Sequence, residues 1–249
     1  MVIFITGATA GFGSAMVKTF IQNGDFVIAA GRRVELLEKL QADLGERLLP
    51  LKLDVRDKVN VQKAIEQLPP KFRDIDVLIN NAGLAMGMDP AQKATFDDWQ
   101  TMVETNIIGL LAVTHAILPG MVERKKGHIV NLGSVAGEFP YPGGHVYGAS
   151  KAFVHQLSLN LRADLLGTKV RVTCVEPGMC SGTEFSTVRF KGDQNKANAV
   201  YKGLDALTSE DIAETVKWVV TRPPHVNINV ISLMPVQQAF AGFAVNRTE

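Results

Sequence analysis

The 249 residues are 46% hydrophobic and 20% charged, with 26 basic side chains against 25 acidic ones. Such a chain can bury one large core, so a single domain over 1–249 is expected, and the near-neutral balance excludes the cationic face that nucleic acid or an anionic membrane requires. The only cysteines, Cys174 and Cys180, are too few for a disulfide framework and lack zinc-site spacing, so a reducing cytoplasm and no metal are expected.

The opening "MVIFITGATAG" carries no positive leader before its apolar run and reaches a glycine at position 7, which argues against a signal peptide. Its first strand, "VIFIT", runs into "TGATAGFG". There Gly7, Gly11 and Gly13, with Thr9, Ala10 and Phe12 between them, form a strand-to-helix turn whose bare backbone amides can approach a pyrophosphate. The spacing is GxxxGxG, not the GxGxxG dinucleotide fingerprint. The second strand, "DFVIAAG", is followed by Arg32 and Arg33, where a site that selects NAD presents an acid to the ribose 2′-hydroxyl. A guanidinium takes a 2′-phosphate through paired charge-assisted bonds, so NADP is expected, the alternative being that both arginines are solvated charges opening the next helix. After the third run, "LLPLKLDV", Asp54 and Val55 are placed to hold an adenine edge or to cap the next helix. The fourth run ends in "INNAG": Asn80 is read as turn support, and Asn81, Ala82 and Gly83 as backbone contacts to the cofactor.

The uncharged stretch Thr105–Val122, with Asn106, His115, Pro119 and Gly120, is shorter than a membrane span of about 20 residues and reads as a buried helix, or one buried against another subunit. The fifth strand, "HIVNLGS", ends on Ser134. Residues 146–166 then place Val154, Leu157, Leu161 and Leu165 at helical spacing, with Gly167 and Thr168 as the stop. Tyr147 and Lys151 fall one turn apart on one face of that helix. A free phenol has a pKa of about 10, and a nearby ammonium is expected to lower it toward the working range. With the Ser134 hydroxyl to bind a substrate oxygen, the set suits carbonyl reduction. The runs "KVRVTCVEPG" and "NINVISLMP" complete seven apolar strands alternating with helical patterns, which predicts an α/β doubly wound parallel sheet. Residues 178–206 are polar, contain glycine and lack a clear strand, so they are expected to form a mobile substrate lid.

"TGATAGFG", "NNAG", Asn106 within "TNIIG", Ser134, "YGASK" and Pro177–Gly178 resemble, in content and order, the short-chain dehydrogenases/reductases, over almost the whole chain. The resemblance implies a Rossmann-type fold and a homotetramer. It also implies that Tyr147 is the acid for reduction and the base for oxidation, and that Ser134 orients the carbonyl. Lys151 would bind the nicotinamide ribose and acidify Tyr147, Asn106 would hold a relay water, and Pro177 and Gly178 would touch the cofactor. Within that family the chain is similar to NADP-dependent 3-hydroxy acid dehydrogenases acting on serine, allo-threonine and 3-hydroxypropionate, and to sulfoacetaldehyde reductases that make isethionate. The stretches that carry this include "NNAGLAMG", "PGMVER" and "GTEFSTVRFKGD".

Both groups act on a short chain bearing an anion, so a cation is needed, and Arg189, Lys191 and Arg247 are the candidates, Arg189 first, the alternative for each being a solvated surface charge. Phe139, Tyr141, Met179 and Phe185 are expected to wall the substrate pocket or, equally, to belong to the core, with His145 a polar wall or a loop hydrogen-bonder. Cys180 and Ser181 depart from the apolar or glycine residues of the hydroxy acid enzymes, which keeps the sulfonate alternative open. A third reading is a non-catalytic NADP-binding scaffold or sensor.

Overall fold

The computed structural model describes residues 1–240, so Arg247 lies outside the described residues. All seven expected strands form: β1 (Val2–Thr6), β2 (Phe26–Gly31), β3 (Leu48–Lys52), β4 (Val77–Asn80), β5 (Gly127–Leu132), β6 (Val170–Pro177) and β7 (Val230–Leu233). They pair in parallel in the order β3-β2-β1-β4-β5-β6-β7. The chain runs outward from β1 to β3 and then returns to β4 on the other side of β1. The C-terminal strand ends therefore open a crevice at this reversal, where a doubly wound sheet binds ligands.

The near-continuous Val, Ile and Leu of the strands follow from burial on both faces. On one face, α1 (Gly11–Gln22), α2 (Val34–Leu44) and α10 (Ser209–Val220) pack Met16, Phe20, Leu37, Ile212 and Val216 against Ile3, Ile5, Val27 and Ile79. On the other face, α3 (Lys58–Glu66), the short α4 (Pro70–Arg73) and α6 (Leu110–Glu123) pack Val61, Phe72, Val113, Ile117 and Met121 against Phe4, Ile28, Leu78 and Ile129. Full burial of each such side chain contributes about 1.5–3 kcal/mol. The helix that carries Tyr147 and Lys151, α7 (His145–Asp164), covers β5 and β6, and its apolar stripe runs through Val154 as the spacing predicts.

The uncharged stretch lies in a longer helical run than expected: α5 (Phe96–Val103), a wide π turn over Glu104–Gly109, and then α6. It is also less buried than expected. Val103, Ile108 and Leu111 face outward because only one side of the run meets the sheet. Among the described residues, Phe96–Glu123 is the one helix long and apolar enough to cross a membrane, although Val113, Ile117 and Met121 belong to the sheet-packing layer. In the expected lid, α8 (Phe185–Arg189) and α9 (Gln194–Ala199) form, and a single bridge joins Cys180 to Leu207.

Candidate active site

The strand ends are stitched together before any ligand is considered. The Thr6 hydroxyl accepts from the backbone N–H of Asn81 at 3.0 Å and of Ala82 at 2.9 Å, and Asn81 Nδ2 donates to the carbonyls of Thr6 and Gly7 at 2.9 and 3.2 Å. The side chain of Asn81 therefore holds the glycine turn, whereas the sequence reading assigned turn support to Asn80 and only a backbone contact with the cofactor to Asn81. One residue earlier, Asn80 Nδ2 donates to Thr114 Oγ1 and Asn131 Oδ1, both at 2.9 Å, and Asn131 Nδ2 continues to Ser158 Oγ at 2.9 Å. This buried chain of amides and hydroxyls fixes β4 and β5 against α6 and α7.

The glycine turn has the shape a pyrophosphate needs. Gly7 has φ +65°, and a methyl at Gly13 would overlap the Gly7 carbonyl and stand 2.8 Å from Asn81 Nδ2. Ala10, the N-cap of α1, provides no side-chain acceptor, so the first amides of α1 are left for an anion. From this turn a cleft of ≈790 Å³ runs across the strand ends to Tyr147. Gly7, Thr9, Ala10, Gly11 and Phe12 line it, as do Arg32 and Arg33, Asp54 and Val55, Asn81, Ala82 and Gly83, and Pro177 and Gly178. Gly13 lies beneath the wall. The Asp54 carboxylate is held by Arg56, Nη2 to Oδ2 at 2.6 Å, and these hydrogen bonds pull it below its usual range. The donor set and the close-approach glycines fit a phosphorylated dinucleotide.

At the other end of the cleft stand Ser134, Tyr147 and Lys151. Ser134 is buried at the end of β5, where its Oγ accepts from Ala136 N–H at 3.1 Å and approaches the Pro177 carbonyl at 3.4 Å. Tyr147 and Lys151 are buried on α7, and Lys151 Nζ donates to the Leu132 carbonyl at 2.7 Å, 5.9 Å from the centre of the Tyr147 ring. Behind them His155 Nδ1 lies 2.6 Å from the fully buried Glu176 Oε1, tying α7 to β6.

The electrostatics correct one expectation. Burial pushes the Tyr147 phenol up to about 12, because loss of water costs the phenolate more than the neighbouring Ser134 hydroxyl and Arg189 return to it. Lys151 is not among the groups that lower it. Burial also brings the Lys151 ammonium down to about 8. The phenol is thus kept as a proton donor rather than drawn toward neutrality.

Asn106 also departs from expectation. It sits in the π turn, buried, and does not line the cleft. Its Nδ2 donates to the Leu84 carbonyl at 2.9 Å and to Ser150 Oγ at 3.0 Å, and its Oδ1 accepts from Leu84 N–H at 2.9 Å. Both amide donors are engaged with protein.

Phe139, Tyr141, Met179, Phe185 and Arg189 all line the catalytic end of the cleft. The guanidinium of Arg189, although buried, lies 5.8 Å from the centre of the Tyr147 ring. Its Nη2 donates to Tyr141 Oη at 2.9 Å and its Nε to the Gly87 carbonyl at 3.0 Å. Lys191 points elsewhere, paired with Asp98 at 2.9 Å. His145 does not line the cleft; it approaches the Asp89 carbonyl at 3.3 Å, as a loop hydrogen-bonder. The sequence reading missed Tyr201, bonded to Ser186 at 2.7 Å, and Gln238, which accepts from Met179 N–H at 2.7 Å. It also missed Glu184, whose partner Arg33 is 151 positions away and is marked by no local pattern.

A parallel doubly wound sheet with a dinucleotide-shaped turn and a buried Ser, Tyr and Lys at its crevice defines a nicotinamide-type oxidoreductase fold. Residues 1–194 match the profile of the short chain dehydrogenase family, and the chain belongs to that family. It is 57% identical over 248 residues, all of both chains, to the NADP-dependent 3-hydroxy acid dehydrogenase YdfG of Salmonella typhimurium. To the serine 3-dehydrogenase of Rhizobium radiobacter it is 54% identical over 245 residues, 98% of each chain. The closed form of a serine dehydrogenase complexed with NADP+ superposes over all of both chains with TM-score 0.99 at 56% identity. Serine dehydrogenase from Escherichia coli gives TM-score 0.87 at 50% identity, over 96% of this chain and 100% of that one. The family and the doubly wound sheet are those the sequence predicts, and the expectation of NADP agrees with the relatives' cofactor.

Proposed function

We propose that the protein is an NADP-dependent reductase and dehydrogenase that interconverts a short acidic aldehyde or ketone and its 3-hydroxy acid. The observation that carries this reading is the buried Arg189 guanidinium, which lines the cleft 5.8 Å from the centre of the Tyr147 ring and offers a cation for a short acid beside the proton donor. The relatives' hydroxy acid and serine dehydrogenase names support the same substrate class. When bound, NADPH supplies the hydride.

This chain's residues do the rest. Arg32 and Arg33 would hold the 2′-phosphate, the glycine turn the pyrophosphate, and Lys151 the nicotinamide ribose. Arg189 anchors the substrate anion, while Phe139, Tyr141, Met179 and Phe185 exclude water and longer chains. The carbonyl oxygen is received by the Ser134 and Tyr147 hydroxyls, and the phenolic proton passes to that oxygen as charge develops on it. A phenol with its pKa near 12 is protonated throughout the neutral range, which suits the direction of reduction. The intact Ser134, Tyr147 and Lys151 favour catalysis over a scaffold role.

The test is NADPH oxidation with malonic semialdehyde, sulfoacetaldehyde and an uncharged aldehyde of equal length. The carboxylate should be preferred. Preference for the sulfonate would transfer the reading to isethionate formation, and tight NADPH binding without turnover on any of the three would support a scaffold. We also propose a cytoplasmic homotetramer, with Val103, Ile108 and Leu111 facing a second copy. Light scattering should give four times the 27.0 kDa chain mass, and a monomer would refute this.

A further inference from the structure

The short helix α8 is fastened at both ends, each to a different part of the cleft. At its start Glu184 takes Arg33 in a two-pronged ion pair, Nη1 to Oε1 at 3.0 Å and Nη2 to Oε2 at 2.8 Å. Arg33 Nη2 also donates to Thr9 Oγ1 at 3.0 Å, which seats the guanidinium on the glycine turn. The neighbouring Thr183 lies over Gly11, where an added methyl would meet Thr183 Cβ at 3.2 Å in a backbone of φ +49°. At the other end the Arg189 carbonyl accepts from Gly87 N–H at 2.8 Å, and its Nε returns a bond to the Gly87 carbonyl at 3.0 Å. Between the two ends the Phe185 ring stands 5.5 Å from the Tyr147 ring.

Five helical residues therefore connect the arginine at the adenosine end to the arginine beside the proton donor. The Arg33 and Glu184 side chains are 41% and 53% exposed, so their pairing adds little to the stability of the fold. Its value is directional, because a planar fork held by both carboxylate oxygens fixes orientation as well as contact. A helix fixed at residue 184 also has a fixed phase at residue 189.

We propose that Glu184 is a positioning residue that couples the phosphate-bearing end of the cofactor to recognition of the substrate anion. Glu184 engages Arg33 and thereby sets α8 so that Arg189 faces the pocket in front of Tyr147. A dinucleotide phosphate that steadies Arg33 steadies the substrate arginine through the same helix. The inference rests on Arg189 being the anion partner.

The test uses Glu184→Gln, which keeps shape and removes charge, and the swap Arg33→Glu with Glu184→Arg. Trypsin cleavage after Arg189 or Lys191 reports lid closure independently of activity. With saturating NADP+, E184Q should be cut about five-fold faster than wild type. Its KM for the acidic aldehyde should rise about five- to ten-fold, more than kcat falls, with KM for the uncharged aldehyde unmoved. Without dinucleotide, the swap should recover wild-type resistance that E184R alone loses. Unchanged cleavage and KM in E184Q, or a swap as sensitive as E184R, would overturn the coupling. If the wild type itself does not prefer acidic aldehydes, the substrate reading fails, while the cleavage arms still decide whether Arg33 and Glu184 latch the lid.

Discussion

The Arg189 guanidinium on α8 lies 5.8 Å from the centre of the Tyr147 ring on α7. On the proposed reading one supplies a fixed positive charge for the substrate anion and the other supplies the proton. Replacing Arg189 with Gln removes the charged partner of the anion, and a hydrogen bond to a charged group is worth about 1.5–3 kcal/mol. KM for the acidic aldehyde should therefore rise about 10- to 150-fold, with little change for an uncharged aldehyde of the same length. Equal losses on both substrates would make Arg189 a packing residue held by Tyr141 and Gly87.

The pH dependence follows from the same buried groups. With the Tyr147 phenol near 12, the proton-donating form persists as pH rises, so the acid required for reduction is present throughout the neutral range. Lys151 loses its charge above about 8, and that sets the alkaline limb. Reductive kcat/KM should be flat from about pH 6 to about pH 8 and decline above it, whereas oxidation, which needs the phenolate, should climb with pH. A reductive rate that fell through neutrality would place a different acid at the reacting oxygen.

On the proposed reading, cofactor choice resides at the end of β2. Arg33 rests on Thr9 of the glycine turn, in position to meet a 2′-phosphate. Loss of one charge-assisted contact in Arg33→Ala should lower the preference for NADPH over NADH about 10- to 100-fold, mostly through KM. A preference that did not change would assign the phosphate to Arg32 alone.

How much of this was legible in the sequence depended on the range of each interaction. The seven strands, the glycine turn and the Tyr147–Lys151 spacing are local patterns, and a period of two or 3.6 residues reports them directly. The need for a cation pointed to Arg189, and the fold places it in the cleft wall. The Arg33–Glu184 pair was not, because it joins residues 151 apart and the fold alone brings them together. Neither was the direction of the Tyr147 shift. Spacing reveals the neighbouring ammonium but not the burial that outweighs it, nor that Lys151 Nζ is turned to the Leu132 carbonyl. The side-chain partners of Asn106 were hidden for a similar reason: only the π turn brings its amide to Leu84 and Ser150.

Stability in acid should depend on His128, far from the chemistry. Thr173 Oγ1 donates to the Ile228 carbonyl at 2.6 Å, so it accepts from His128 Nε2–H at 2.8 Å, while the buried Nδ1 has no acceptor for a second proton, as in a neutral imidazole. Burial, aided by the nearby Arg171, lowers its pKa from 6.5 to about 3. The unfolded chain binds that proton more readily than the folded one, so stability is full above the unfolded value and is lost as pH falls toward the folded one, by about 3–5 kcal/mol in all. His128→Gln, which keeps a donor and does not titrate, should lose less stability than wild type between neutral and acidic urea melts. Parallel losses would remove His128 from the account.

The central claim is that the buried Tyr147 phenol gives its proton to the reacting oxygen. The most direct test is single-turnover NADPH oxidation by Tyr147→Phe with an acidic aldehyde, alongside the NADPH dissociation constant. The account predicts a rate lowered about 10²- to 10⁴-fold with cofactor affinity preserved; a folded, NADPH-binding variant that turned over at the wild-type rate would contradict it.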